Sequence, residues 1–471
     1  MLKLFLFLSF PFVFFTFSNI YAQQTPPPLG EENITIHDAT LKIELVTSGL
    51  DFPTTMAFLG PDDFLILEKN TGNVKRVIDG KVLDKPLLHV NTNIKDERGL
   101  LGVAVSKKKL SDYPFFVENK KLTHNVFLYY IECNKKGIDC ENRIYKYDLD
   151  NENNELVNSK LLVGIPSFPD PSHIGGIIRI GPDENLYFTV GNFQNTIPTK
   201  LYKTKTQNFE DSEDIDGRAG ILRMTQHGSL VLDDNGKGLL GNEYPLDMYY
   251  AYGIRNSYGL DFDPVTDKLW DTENGPQFGD EINLVEPGFN SGSDKVYGIW
   301  KSNEFGDMLK NKTGEPIVIG DDPQDLVDFD DKGKYSPPEF IWIKTIAPTG
   351  ISFLNSDKLG SKYKNDMFVG SADGGYLFHF KLNDARNGFI LNGNLTDKIA
   401  YNRTDFDEIL FAEGFSIITD VKEGPDGYLY IVSGLKQSKT EKFGAVFRVV
   451  PLTIDNSTKD NINNKIHIME K

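Results

Sequence analysis

Basic charge, cysteine and long apolar runs are what this chain has least of. Its 471 residues carry 50 Lys and Arg against 68 Asp and Glu, a formal charge of −18. An acidic chain with no basic run lacks the Lys/Arg surface that displaces counterions from phosphate, which excludes sequence-independent nucleic-acid binding. There are only two cysteines, Cys133 and Cys140, so at most one internal disulfide can form. Beyond residue 22 no segment offers the roughly 20 apolar residues that a spanning helix requires, so no membrane span is expected in the body of the chain. Turn-forming and aromatic residues, by contrast, are plentiful: 42 Gly and 24 Pro are spread through the sequence with 33 Phe and 20 Tyr. That mixture describes many turns joining aromatic-rich strands, and excludes a helical bundle or a disordered chain.

The first residues read as an export signal. Met1-Leu2-Lys3 supplies one positive charge, Leu4 to Phe17 are nearly all apolar, and Ser18 to Ala22 form a polar, small-residue exit with cleavage expected after Ala22 rather than retention as an anchor. Residues 23–40, with three consecutive prolines at 26–28, read as an extended spacer, and residues 454–471 as a polar tail. The folded body is therefore expected at 41–453, in a secreted, extracellular or periplasm-like space. Cys133 and Cys140 fit an oxidising compartment. They end two strand-like runs, Val126 to Ile131 and Arg143 to Tyr147, whose hairpin would bring the sulfurs together, with two free thiols as the alternative.

One phrase recurs six times: a turn with Pro, Asp or Gly, a short apolar strand, a connection, and a second strand. The copies are Phe64–Leu67 with Asn73–Val77, Val126–Ile131 with Arg143–Tyr147, Leu186–Val190 with Gly220–Arg223, Lys268–Trp270 with Glu281–Leu284, Met367–Val369 with Tyr376–Phe380, and Leu429–Val432 with Ala445–Val449. Short alternating strands cannot each bury a face alone, and radial stacking of sheets solves this while protecting their edges. The expectation is an all-β, six-bladed propeller of four-stranded antiparallel blades. A pair of β-sandwiches is the competing arrangement, but the phrase persists across the body with no central linker.

Four segments hold polar or glycine residues that strands do not need: Glu97 to Ala104, Ser172-His-Ile-Gly-Gly176, Tyr252 to Gly259, and Thr272 to Glu281. Each also has a purely structural reading: a loop histidine beside glycines as a turn residue, Arg255 and Asn256 as a buried pair, Glu273 to Pro276 as a turn. Their order and wording resemble the glucose/sorbosone dehydrogenase family, soluble quinoproteins with six-bladed propellers. The likeness runs through Glu97-Arg-Gly-Leu-Leu-Gly102, His173-Ile-Gly-Gly176, Tyr252-Gly-Ile-Arg-Asn256, Glu273-Asn-Gly-Pro276, Asp280-Glu-Ile-Asn-Leu284, Ala347-Pro-Thr-Gly350 and Gly424-Pro-Asp-Gly427.

The resemblance implies pyrroloquinoline quinone (PQQ) over the channel mouth, oxidation of an aldose sugar at its anomeric carbon to a lactone, and a separate electron acceptor. It implies His173 as the base with Asn192 as its partner, and Glu97, Arg255, Asn256 and Asn274 around the cofactor. A Ca²⁺ ion would take the backbone carbonyls of Gly275 and Pro276. The departures are specific. Ile177 stands where the family has Arg, and Asn192 where it has Asp; an amide orients an imidazole but cannot neutralise an imidazolium. Cations expected to hold the carboxylates of the quinone are replaced by Asp373, Ile417 and Thr419, with Lys344 or Lys422 as candidate substitutes. Two rival functions follow from these losses: a catalytically silent propeller that binds carbohydrate or protein, and a Ca²⁺-dependent lactonase. Asp328 to Gly333 with Glu339 has the spacing of a Ca²⁺ loop, although a solvated acidic loop explains it better. The inserted loops 193–218 and 297–346 are expected to shape substrate choice.

Overall fold

The computed structural model describes residues 34–452, apart from 114–118, 135–138, 168–171, 194–202, 213–214, 304–305, 321–322 and 435–443. The export signal at 1–22, the spacer up to residue 33 and the tail at 454–471 lie outside the described residues. Among those described, no helix is long and apolar enough to cross a membrane.

The chain is an all-β propeller. Each of the six strand pairs expected from the sequence forms an antiparallel ladder: Asp63–Glu68 with Asn73–Ile78, Leu122–Cys133 with Cys140–Asp150, Leu186–Val190 with Gly220–Met224, Leu269–Glu273 with Phe278–Val285, Asp366–Ser371 with Leu377–Phe380, and Leu429–Gly434 with Gly444–Pro451. Every ladder lies in its own sheet, and every sheet adds an inner strand: Pro53–Gly60, Leu100–Lys107, Gly175–Ile180, Ser257–Phe262, Pro348–Leu354 and Ile417–Glu423. Each of these inner strands packs against the next, and Ile417–Glu423 packs against Pro53–Gly60, so the contacts run in a closed ring. The circle is closed out of chain order by hydrogen bonds, because the early strand Leu41–Leu50 pairs with the late strand Gly444–Pro451.

The recurring Gly-Pro-Asp turn has a local cause. At Asp183 one carboxylate oxygen accepts from the Asn185 amide and the other from the Tyr187 hydroxyl at 2.9 Å. At Asp426 the same pattern repeats with the Tyr428 amide and the Tyr430 hydroxyl, again 2.9 Å. The aspartate thus fixes the turn and the tyrosine locks it to the first residues of the following strand. Between sheets the alternating apolar faces interlock; Trp270, Phe340, Trp342 and Phe380, all essentially inaccessible, share one such layer. Removing a side chain of that size, as in Trp342→Ala, costs about 3–5 kcal/mol.

Two expectations need correction. These six sheets are not uniformly four-stranded but hold four to six strands, because long connections add short ones: Phe289–Asn290 and Lys334–Tyr335 extend one sheet in parallel, Ile399–Ala400 extends another, and Val296–Tyr297 with Trp300–Lys301 form a separate two-stranded sheet. Within the segment read as spacer, Thr35–Ile36 pairs with Ala412 and Glu413 at a sheet edge. Cys133 and Cys140 lie opposite each other in register and are joined by a disulfide.

Candidate functional site

The inner strands all begin on one side of the ring, and a cavity of about 720 Å³ opens there. Its wall takes at least one residue from the first three positions of every inner strand: Thr54, Leu101, Gly175, Tyr258, Thr349 and Ile417. A volume in the range of about 300–1,000 Å³ suits a small-molecule ligand.

Five of the expected residues, Glu97, His173, Arg255, Asn256 and Asn274, meet on one wall, with Asn192 behind His173. His173 sits immediately before the inner strand Gly175–Ile180, with φ of 53°, a left-handed conformation that costs a non-glycine residue on the order of 1 kcal/mol. Two close approaches hold this bend. A Cβ on Gly191 would come within 2.0 Å of the His173 carbonyl oxygen, and a Cβ on Gly176 within 2.7 Å of the Leu101 side chain. These glycines therefore serve the packing of neighbouring segments. The Arg255 Nη2 donates to His173 Nε2 at 2.8 Å, and His173 Nδ1 lies 2.8 Å from Asn192 Oδ1. A guanidinium is only ever a donor, so Nε2 carries the lone pair and the ring proton sits on Nδ1. Burial, and then the Arg255 charge, hold the imidazole well below its ordinary value of 6.5, against a smaller opposite effect of the Asn192 hydrogen bond.

Glu97 binds the wall together. Its Oε2 accepts from the Ile174 amide and from Asn256 Nδ2, both at 3.2 Å, and from the Tyr258 hydroxyl. Asn256 in turn accepts from the Gly175 amide at 3.1 Å. Arg255 is oriented from its far side: Nη1 donates to the Asn274 carbonyl at 2.7 Å, and its amide donates to Glu273 Oε1 at 2.6 Å. Asn274 itself ties to the Pro348 carbonyl at 2.9 Å. Behind this wall Asp271, Glu273 and Glu281 are buried together; burial pushes all three carboxyls upward, and repulsion from the neighbouring carboxylates adds to it at Glu273 and Glu281.

Gly275 and Pro276 also line the cavity. The Gly275 amide is held by Asp280 Oδ1 at 2.8 Å, and among the described residues no hydrogen-bond donor takes either the Gly275 or the Pro276 carbonyl. Burial raises Asp280 to about 6. Two uncommitted carbonyls suit a hard cation such as Ca²⁺. Among the described residues no group of three or more His, Cys, Asp or Glu side chains could hold a metal ion. The acidic loop read as a Ca²⁺ site does not assemble with Glu339, which is buried and accepts from the Leu284 amide at 2.7 Å.

The facing wall is different. Ile417, Thr419 and Ala372 line it, with Ala372 rather than Asp373 reaching the cavity. Neither substitute cation arrives there. Lys344 is exposed and absent from the lining, and Lys422 is buried with Arg179, Asp261 and Asp420, whose Oδ2 is 3.9 Å away. Sequence reading missed a second cation that, beside Arg255, lines the cavity. Lys69, one residue past its strand, donates to the Asp96 carbonyl at 2.7 Å and lies 5.8 Å from the Phe52 ring centre; burial lowers it. Its place after the first strand of the first repeat was the available signal. Of the long insertions, 297–346 contributes Thr345, while 194–202 and 213–214 lie outside the described residues.

Residues 50–440 match the family model for glucose/sorbosone dehydrogenase. The chain belongs to the glucose/sorbosone dehydrogenase family. Its relatives in that family include the aldose sugar dehydrogenase YliI of Escherichia coli, 25% identical with 88% of this chain and 94% of that one covered. Quinoprotein glucose dehydrogenase B of Acinetobacter calcoaceticus is 24% identical over 86% of this chain and 87% of its own. The PQQ-bound aldose sugar dehydrogenase of Streptomyces coelicolor shares the fold, with a TM-score of 0.58 at 21% identity, covering 88% of this chain and 98% of that one. Family membership makes the chain a relative of sugar oxidoreductases.

Proposed function

We propose that this protein is an exported quinoprotein that oxidises an aldose at its anomeric carbon to the lactone, using PQQ and Ca²⁺ in a six-bladed propeller. The observation that carries this reading is the meeting of His173 and Arg255, 2.8 Å apart, in a cavity of suitable size at the mouth of the ring. The six large sheets and the closed ring of inner strands support the blade count.

The residues present fit the cofactor. Lys69 and Arg255 supply positive charge, Asn256, Asn274, Thr345 and Thr349 supply neutral polar groups, and Ile177, Ala347 and Ile417 supply flat apolar surface. Gly275 and Pro276 would hold the metal through their carbonyls. Bound there, PQQ and Ca²⁺ would supply a two-electron acceptor and the Lewis acid that polarises it.

The protein's own part is proton transfer and orientation. With its ring proton on Nδ1, His173 presents Nε2 to the cavity, and its depressed proton affinity keeps that lone pair free at neutral pH. A sugar hydroxyl that displaces Arg255 Nη2 from Nε2 can pass its proton there. The displaced guanidinium remains beside the oxygen, where it favours negative charge on it. Glu97 and Asn256 fix the backbone on which His173 is carried.

Titration of the apoprotein with PQQ and Ca²⁺, followed by absorbance, tests the binding half, and aldose-dependent dye reduction tests the chemistry. Saturable spectral change with dye reduction that His173→Ala abolishes is the expected result. No spectral change at high cofactor concentration would leave a silent propeller.

A further inference from the structure

Asn192 replaces the carboxylate expected beside the base, yet a carboxylate stands directly behind it. Asp294 is 6% exposed and lies in the connection between Phe289–Asn290 and the insertion that begins at 297. Four donors converge on it. Asn192 Nδ2 reaches Oδ1 at 2.9 Å, as do the Tyr297 hydroxyl at 2.8 Å and the Ser293 hydroxyl at 3.0 Å, while Gln207 Nε2 reaches Oδ2 at 3.1 Å. An amide donates from nitrogen and accepts at oxygen, so the bond to Asp294 dictates which end of Asn192 faces the histidine. The resulting line is unbroken: Asp294 Oδ1 accepts from Asn192 Nδ2, and Asn192 Oδ1 accepts from His173 Nδ1, leaving Nε2 open toward the cavity.

We propose that Asp294 is a positioning residue for His173, acting through Asn192. The proposal rests on the reading of His173 Nε2 as the proton acceptor. Burial pushes Asp294 above its ordinary value, while the hydrogen bonds from Tyr297, Ser293 and Asn192 and the nearby Arg255 charge favour the ionised carboxylate. An ionised Asp294 polarises the Asn192 amide, strengthens its oxygen as an acceptor and holds the Nδ1–H tautomer. When Nε2 takes up a proton, the positive charge formed is felt by a carboxylate one amide away, an effect Asn192 alone cannot supply. The other charged groups facing His173 are Arg255, at Nε2, and Glu97, which holds the Ile174 amide; Lys69, Asp96 and Asp280 line the same cavity.

Nitrogen NMR of the His173 ring in apoprotein reads this without any cofactor, and so independently of whether the oxidoreductase reading survives. Wild type should show one neutral tautomer, protonated at Nδ1. In Asp294→Asn that preference should be lost and the ring should titrate at lower pH. The exchange Asn192→Asp with Asp294→Asn should restore the tautomer and raise the titration above wild type. In loaded enzyme, Asp294→Asn should lower kcat roughly tenfold with KM unchanged, and the exchange should recover it. A folded Asp294→Asn protein whose His173 tautomer and titration match wild type overturns the proposal. If that variant does not fold, the carboxyl carbon shift of Asp294 in wild type decides: an ionised group at pH 7 supports the relay, and a protonated one overturns it.

Discussion

The two walls of the cavity were built on different terms. On one, His173, Arg255, Asn256, Glu97 and Asn274 are linked by hydrogen bonds of 2.7–3.3 Å into a single lattice, with almost no freedom left to any of them. On the other, Ile417, Thr419 and Ala372 offer shape and little charge. The first wall prepares chemistry, and the second decides how tightly an anionic ligand is held. Catalytic geometry and cofactor affinity are therefore separable in this molecule.

The largest effect should come from the lattice wall. His173→Ala should lower kcat by about 10²–10⁴-fold while leaving the spectral binding curve in place, since general-base catalysis contributes on that scale. The facing wall should answer oppositely. Thr419→Arg or Ile417→Arg should tighten PQQ by roughly 10–100-fold, and Lys69→Ala should weaken it by about tenfold, as expected for one charge-assisted hydrogen bond of about 1.5–3 kcal/mol; equilibrium titration measures both. If charge on the facing wall changed kcat as much as affinity, the division between walls would fail.

A pH profile sharpens the same contrast. Because the folded environment lowers the proton affinity of His173, the ring stays neutral as pH falls past 6.5 and protonates only further down. The acid limb of kcat/KM should therefore lie below pH 6.5. Arg255→Met removes one of the two causes, so its limb should move upward, toward 6.5. The smallest effect belongs far from either wall. Reduction of Cys133–Cys140 should cost about 2 kcal/mol through the short loop it closes, visible as a melting point a few degrees lower with binding unchanged.

How much of this could be read from the chain depends on whether a feature is local. The central ladder of each sheet was legible because its two strands carry their own alternation, and at Asp183 and Asp426 the turn adds its own Asp-to-Tyr lock. The inner strands were not read as a class, because Gly175–Ile180 and Pro348–Leu354 are buried on both faces and lose the alternating pattern. The lattice wall could be anticipated from the family wording around His173, Arg255 and Gly275. Its depth could not. Asp294 is 102 residues from Asn192 and comes from the connection just ahead of the 297–346 insertion, with no repeat to align it. The substitutes proposed for the missing cations failed for a related reason: Lys422 has the right charge but belongs to the buried ionic group with Arg179 and Asp420, and nothing in its neighbours' identities says which way it points.

The pairing of Leu41–Leu50 with Gly444–Pro451 has a consequence for how the molecule comes into being. A ribosome delivers the two halves of that sheet some 400 residues apart, so the circle stays open until the late strand has emerged, and its final seam costs a large loop closure. Trimming either strand would leave an unzipped hoop with two raw edges. Moving the chain's beginning to another gap between sheets, with the present ends spliced, would instead preserve every ladder and relocate only the seam.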